Sequence, residues 1–116
     1  MSEQNEWFKH LIEYLNLQRY WSAMTFGHGL RTMGLIKHIQ EELDEIRADP
    51  TDVYEWIDVV ILALDGAWRA GYTAEEVVDA LVKKQQVNFQ RKWLPGPEDE
   101  SYKRIRDVVT EVDNES

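Results

Sequence analysis

Two short acidic motifs carry the spacing that metal chemistry needs: Glu42-Leu43-Asp44-Glu45 and Glu55-Trp56-Ile57-Asp58. Residues three apart on a helix share a face, so each motif presents a pair of carboxylates. Asp49-Pro50 breaks the chain between them, and so short a link makes the flanking helices antiparallel neighbours. Counting outward from the break, Glu45 matches Glu55 and Glu42 matches Asp58 to within about one residue, at a rise of about 1.5 Å per residue. All four carboxylates are therefore expected to meet at one level between two helices. Asp58 also stands in an otherwise apolar run, Trp56-Ile57-Asp58-Val59-Val60-Ile61-Leu62. An ionised carboxylate is costly to bury without a compensating cation. Converging carboxylates repel one another until some take up protons or a cation binds. Hard oxygen ligands suit Mg²⁺ or Mn²⁺. A lone E-x-x-E is usually a solvated helix face; the second pair in register is what points to a cation site. A di-iron carboxylate bundle would use Glu-x-x-His motifs. None occurs, since Trp7, Thr25 and Leu35 stand three residues before His10, His28 and His38.

The elements that must position these groups read as helices. A first helix is expected over residues 6–18, where Trp7, Leu11, Tyr14 and Leu15 recur at helical spacing. The Gly-rich stretch 21–34 begins as a loop. A second helix follows and ends near Arg47, with Leu35, Ile39, Leu43 and Ile46 as its buried stripe and Ile36 beside it. Asp49 suits the N-cap and Pro50 the first position of a third helix. That helix runs to about Ala70 and stops at Gly71. Thr73-x-x-Glu76 has the form of a capping box and opens a fourth helix reaching about Arg91. Leu94-Pro95-Gly96-Pro97 stops it, a further short helix is expected around 102–109, and residues 113–116 are expected to fray. No strand-like alternation is sustained. The expected fold is all-α, a four- to five-helix bundle in one domain spanning residues 1–116.

The totals fit this reading. A chain of 116 residues, 43% hydrophobic and 30% charged, matches one globular domain. So small a domain has a large surface for its core, and oligomerisation would help it bury its apolar faces. There are no cysteines, which excludes disulfides and thiolate metal sites. The N-terminus lacks the basic start and apolar stretch of a signal peptide, and the longest apolar run, 59–64, is too short to span a membrane. The protein is expected to be cytoplasmic, without a membrane partner. A net charge of −9 argues against a nucleic-acid partner, although divalent cations would let an acidic protein hold an anionic ligand.

The motif Glu42-x-x-Glu45 followed by Glu55-x-x-Asp58 resembles the ExxE…ExxD signature of the MazG-like all-α nucleoside triphosphate pyrophosphohydrolases, which include dimeric dUTPases. The nine-residue spacer here is shorter than usual for that superfamily. His38-Ile39-Gln40-Glu41-Glu42-Leu43-Asp44-Glu45-Ile46, then Glu55-Trp56-Ile57-Asp58-Val59 and Leu62-Ala63-Leu64-Asp65-Gly66-Ala67-Trp68-Arg69-Ala70-Gly71, are similar to the dATP/dGTP diphosphohydrolase branch of bacteria and phages. The resemblance covers about residues 25–93. It implies a MazG-like helical bundle in which Glu42, Glu45, Glu55 and Asp58 hold two or more Mg²⁺ or Mn²⁺ ions. It implies cleavage of a purine deoxynucleoside triphosphate between the α and β phosphates, giving a monophosphate and pyrophosphate. It also implies a homodimer or homotetramer. Lys84-x-x-x-Asn88-x-x-Arg91 resembles the family's downstream element that contacts phosphate or sugar; by spacing alone these residues share a helix face, and the cations suit a helix C-terminus.

Other residues are candidates beside these. Glu41 points about 100° away from Glu42; it would act as base, orient a ligand or pair with Lys37. His38, four before Glu42 on the same face, would touch phosphate or serve as a structural histidine. Asp65, seven after Asp58, would bind the sugar or join an ion pair. Trp21, Phe26, His28 and Arg31 would line a base pocket or belong to the core. The leading expectation is a metal-dependent (d)NTP diphosphatase acting on dATP or dGTP, with Glu41, Glu42 and Glu45 as the catalytic carboxylates. A dUTPase-like or broad house-cleaning enzyme and a non-catalytic nucleotide- or protein-binding oligomer are the alternatives.

Overall fold

Helix α1 (Glu3–Phe26) runs well past the expected end at Gln18. Residues 19–26 contain no glycine or proline to stop it, and Ser22 is buried within that stretch. The stop comes at Gly27, whose φ of 90° only glycine adopts without strain and whose N–H donates to Ala23 O at 2.9 Å. The expected loop at 21–26 is thus the last two turns of α1, and the connection to α2 shrinks to residues 27–31. These helices belong to a computed structural model, which describes residues 3–94, 99 and 101–105.

Helix α2 (Thr32–Ala48) buries Leu35 and Ile46, half-buries Ile39 and leaves Ile36 and Leu43 partly exposed. Asp49 closes α2 with its N–H on Glu45 O and Ile46 O, so it does not open the next helix as expected. Helix α3 (Val53–Arg69) takes Asp52 as its N-cap instead, the side chain accepting from Tyr54 N–H at 3.0 Å. Pro50 lies in the turn between them, and its carbonyl accepts from Trp56 Nε1 at 2.9 Å. Both aspartates have cap chemistry; the turn needed Pro50 and Thr51, which leaves the cap to the second one. Gly71, at φ 110°, ends α3 as expected, with its N–H on Trp68 O. The capping box forms: Thr73 N–H donates to Glu76 Oε1 at 2.9 Å and Glu76 N–H to Thr73 Oγ1 at 3.1 Å. It opens α4 (Ala74–Gln90).

Residues 1–80 and 81–116 form two compact units, and α4 begins in the first. In the first unit α3 packs along both α2 and α1. Its core is Leu15 of α1 with Ala74 and Val78 of α4, flanked by Phe8, Leu11, Ile12, Leu64 and Val77. In the second unit, β1 (Lys92–Leu94) pairs antiparallel with β2 (Lys103–Ile105), with Trp93 opposite Arg104. Residues 103–105 were expected to be helical; they take their backbone hydrogen bonds from a neighbouring strand instead. The other positions of that expected helix, 106–109, and residues 113–116 lie outside the described residues. The protein is all-α apart from this short pair.

The core is thin. Among the described residues none has a large side chain fully buried, while Leu17, Tyr20 and Met24 of α1 and Val53, Trp56 and Val60 of α3 are at least about half exposed. Among the same residues no helix is long and apolar enough to cross a membrane.

Candidate metal centre

The antiparallel packing of α2 on α3 brings the carboxylates together. One oxygen each from Glu42, Glu55 and Asp58 lie within 4.8 Å of one another. Glu42 and Glu55 are half-buried and Asp58 is exposed at the rim. Glu45 stands outside this trio and is exposed, yet its charge acts on Glu55. The Glu55 carboxyl is held above the usual carboxylate range by loss of solvent and then by the negative charges of Glu45, Asp52, Asp58 and Glu42. His38 Nε2 lies 3.3 Å from Glu42 Oε1. The donor set fits a divalent hard cation, with oxygen ligands only and several negative charges. Glu41 is exposed and lies outside the trio.

A cavity of about 220 Å³ adjoins this centre within the first unit. Its α2 wall runs through Arg31, Gly34, Leu35, His38 and Glu42, and its α3 wall through Asp58, Ile61, Leu62 and Asp65. At about 1.5 Å per residue, Arg31 and Glu42 are some 16 Å apart along the helix. Because α3 runs the other way, Asp58 closes the Glu42 end and Asp65 the Arg31 end. Gln18, Trp21, Ser22 and Phe26 of α1 supply the third wall. Trp21 and Phe26 meet edge to face at 5.5 Å, and the Arg31 guanidinium lies 4.8 Å over the Phe26 ring. Gln18 donates from Nε2 to Ile61 O at 3.0 Å, which leaves its buried Oε1 without a hydrogen-bond partner.

The Arg31 end is closed by a buried ion pair. Arg69 Nε donates to Asp65 Oδ2 at 2.8 Å, and the side chains are 1% and 7% exposed. Trp68 Nε1 donates to Asp65 Oδ1 at 2.9 Å, so both oxygens of Asp65 are engaged within the protein. Arg69 Nη1 donates to the carbonyls of Gly27 and Gly29 at 2.8 and 2.9 Å, and Nη2 to Ser22 Oγ at 2.9 Å and Ser22 O at 3.4 Å.

The residues singled out in the sequence fall into three sets. Glu42, Glu55, Asp58 and His38 share the centre, with Glu45 beside it. Asp65, Trp21, Phe26 and Arg31 line the cavity, while His28 does not. Lys84, Asn88 and Arg91 belong to the second unit, where Asn88 O accepts from Trp93 Nε1 and Arg91 follows the last residue of α4. Gln18, Ser22 and Arg69 escaped the sequence reading. Only Asp65-x-x-x-Arg69, an i,i+4 pair inside an apolar helix, gave a local sign of the clasp.

These features define an all-α protein with an acidic, three-helix cavity. The sequence matches the dATP/dGTP pyrophosphohydrolase family over residues 15–112, and the chain belongs to that family. It is also similar to the Eaa protein of Salmonella phage P22, at 38% identity over 52 residues, which is 45% of this chain and 16% of the phage protein. The chain thus matches only a small part of that relative's length. No solved structure matches it.

Proposed function

We propose that the protein is a metal-dependent diphosphatase of deoxynucleoside triphosphates, with dATP and dGTP as its substrates, built as a MazG-like enzyme. The observation that supports this most is the trio Glu42, Glu55 and Asp58 at one end of a cavity whose other end is aromatic, in a chain of this family. Glu42, Glu45, Glu55 and Asp58 hold Mg²⁺ or Mn²⁺, two or more ions. Such ions neutralise charge on phosphate oxygens and lower the pKa of a bound water.

The chain's own groups do the rest. The base lies against Trp21 and Phe26, where aromatic rings favour a flat purine. Gln18 Oε1, held by the amide's bond to Ile61 O, accepts an N–H from the base edge. Arg31 supplies the cation beside that ring. His38 orients Glu42 through Nε2. Glu45, or Glu41 about one helical turn before it, takes the proton from the attacking water. The products are nucleoside monophosphate and pyrophosphate. Lys84, Asn88 and Arg91 contact phosphate or sugar, as the family resemblance implies. The protein works as a homodimer or homotetramer, since its exposed aliphatic and aromatic side chains exceed what so thin a core covers.

The test is turnover of a panel of ribo- and deoxynucleoside triphosphates, dUTP included, with Mg²⁺ or Mn²⁺, scored for monophosphate and pyrophosphate. Glu42→Gln and Asp58→Asn are expected to lower kcat at least about a hundredfold, the scale set by removal of a group that stabilises transition-state charge. Absence of turnover on every nucleotide sinks the reading, and preferred turnover of dUTP overturns the purine assignment.

A further inference from the structure

We propose that Arg69 is the positioning residue of the nucleoside end of the cavity, acting through the α1–α2 loop. The inference rests on the diphosphatase reading above for its substrate and on geometry for its mechanism. A guanidinium carries five N–H donors in a fixed plane, and all five of Arg69's are used. One holds Asp65 on its own helix, two hold Ser22 near the end of α1, and two hold the carbonyls of Gly27 and Gly29. Gly27 and Gly29 sit at φ 90° and 95°, a backbone path that turns at both residues whose carbonyls accept from the guanidinium.

The residues on either side of that loop are the ones that shape the cavity. Phe26 precedes it and Arg31 ends it, and the two are stacked on each other. The loop carbonyls of Gly27 and Gly29 both accept from Arg69 Nη1. Trp68 backs the clasp twice over: its ring lies 4.4 Å under the Arg69 guanidinium, and its Nε1 holds the second Asp65 oxygen. Arg69 itself does not line the cavity. It therefore touches no substrate and sets affinity for the nucleoside by fixing where Phe26 and Arg31 stand, whereas the carboxylates at the far end set the rate.

Arg69→Lys tests this, since lysine keeps the charge opposite Asp65 but has one point of donation in place of a planar five-donor fork. On the preferred deoxynucleotide with Mn²⁺, KM is expected to rise about tenfold or more while kcat stays within about threefold. Amide hydrogen exchange at residues 27–31 is expected to speed up by about tenfold, with α2 and α3 unchanged. In an Arg31→Ala background the same substitution should raise KM by a smaller factor, because one of its two routes to the substrate is gone and only Phe26 remains. Trp68→Phe, which frees Asp65 Oδ1 but keeps the ring, should move KM and exchange in the same direction by less, and it carries the test if Arg69→Lys does not fold. Unchanged KM in a folded variant overturns the inference, as does an equal effect with and without Arg31. A loss of kcat at constant KM also overturns it. Failure of the wild-type protein to turn over any nucleotide sinks the diphosphatase reading instead, and the exchange measurement then still reports whether Arg69 holds the loop.

Discussion

Replacing Arg69 with methionine should be among the most damaging single changes to stability in the first unit. The Asp65 side chain it leaves behind is 7% exposed and would keep only the Trp68 N–H. Breaking one partner out of a buried ion pair costs about 3–5 kcal/mol, because the remaining charge stays desolvated. The Gly27, Gly29 and Ser22 carbonyls lose their donor as well, although those near the loop regain water. Against a typical total stability of about 5–15 kcal/mol, this removes roughly a fifth or more of what holds a small domain folded. The informative comparison is with Asp65→Leu and with the double variant Asp65→Leu/Arg69→Met. Removing both charges leaves no uncompensated ion, so the double variant should be more stable than the sum of the singles by about 2 kcal/mol or more. Urea unfolding followed by tryptophan fluorescence and far-ultraviolet circular dichroism gives these numbers, with the m-value checked for constancy. A loss below about 1 kcal/mol for Arg69→Met, or strict additivity in the cycle, would refute the claim that the pair is a buried, mutually dependent unit.

Three further outcomes follow from the geometry. Glu55→Gln should raise the melting temperature of the metal-free protein at neutral pH and abolish its stabilisation by Mn²⁺. A carboxyl with a raised pKa favours the fold only while protonated, so wild-type stability falls as pH rises through that pKa, and the gain from Gln should vanish on going to acid; a gain that persists there would contradict the assignment. Gly29→Ala should destabilise by about 1–2 kcal/mol, the cost of a positive φ for a residue with a Cβ, although open space surrounds the position; thermal unfolding decides whether the strain is real. Thr73→Ala should cost about 1 kcal/mol through loss of the capping box, with α4 fraying first in hydrogen exchange.

The parts of the structure legible in the sequence are those that depend on neighbours within a few residues. The Thr73–Glu76 box and the stop at Gly71 were readable because a cap is a local hydrogen-bond problem. The Glu42, Glu55 and Asp58 meeting was readable because a short turn converts sequence offset into register. What could not be read depends on distant partners. The last turns of α1 and the path of the loop after it answer to Arg69, 40 and 42 residues further along. The choice between Asp49 and Asp52 as cap turned on how many residues the α2–α3 turn consumes, which either aspartate's chemistry allows. The β1–β2 pair is a non-local pairing of three-residue segments, too short to show any alternation.

Arg69 grips the α1–α2 loop by its backbone carbonyls and by no side chain of the loop itself. The path of the chain there is consequently indifferent to what residues 28 and 30 are, so long as glycine stays at 27 and 29. His28 and Leu30 are both exposed and carry none of the hold. Related proteins are thus free to exchange these two exposed positions while the scaffold beneath remains the same. The outer surface of this loop can drift in sequence without a matching drift in architecture.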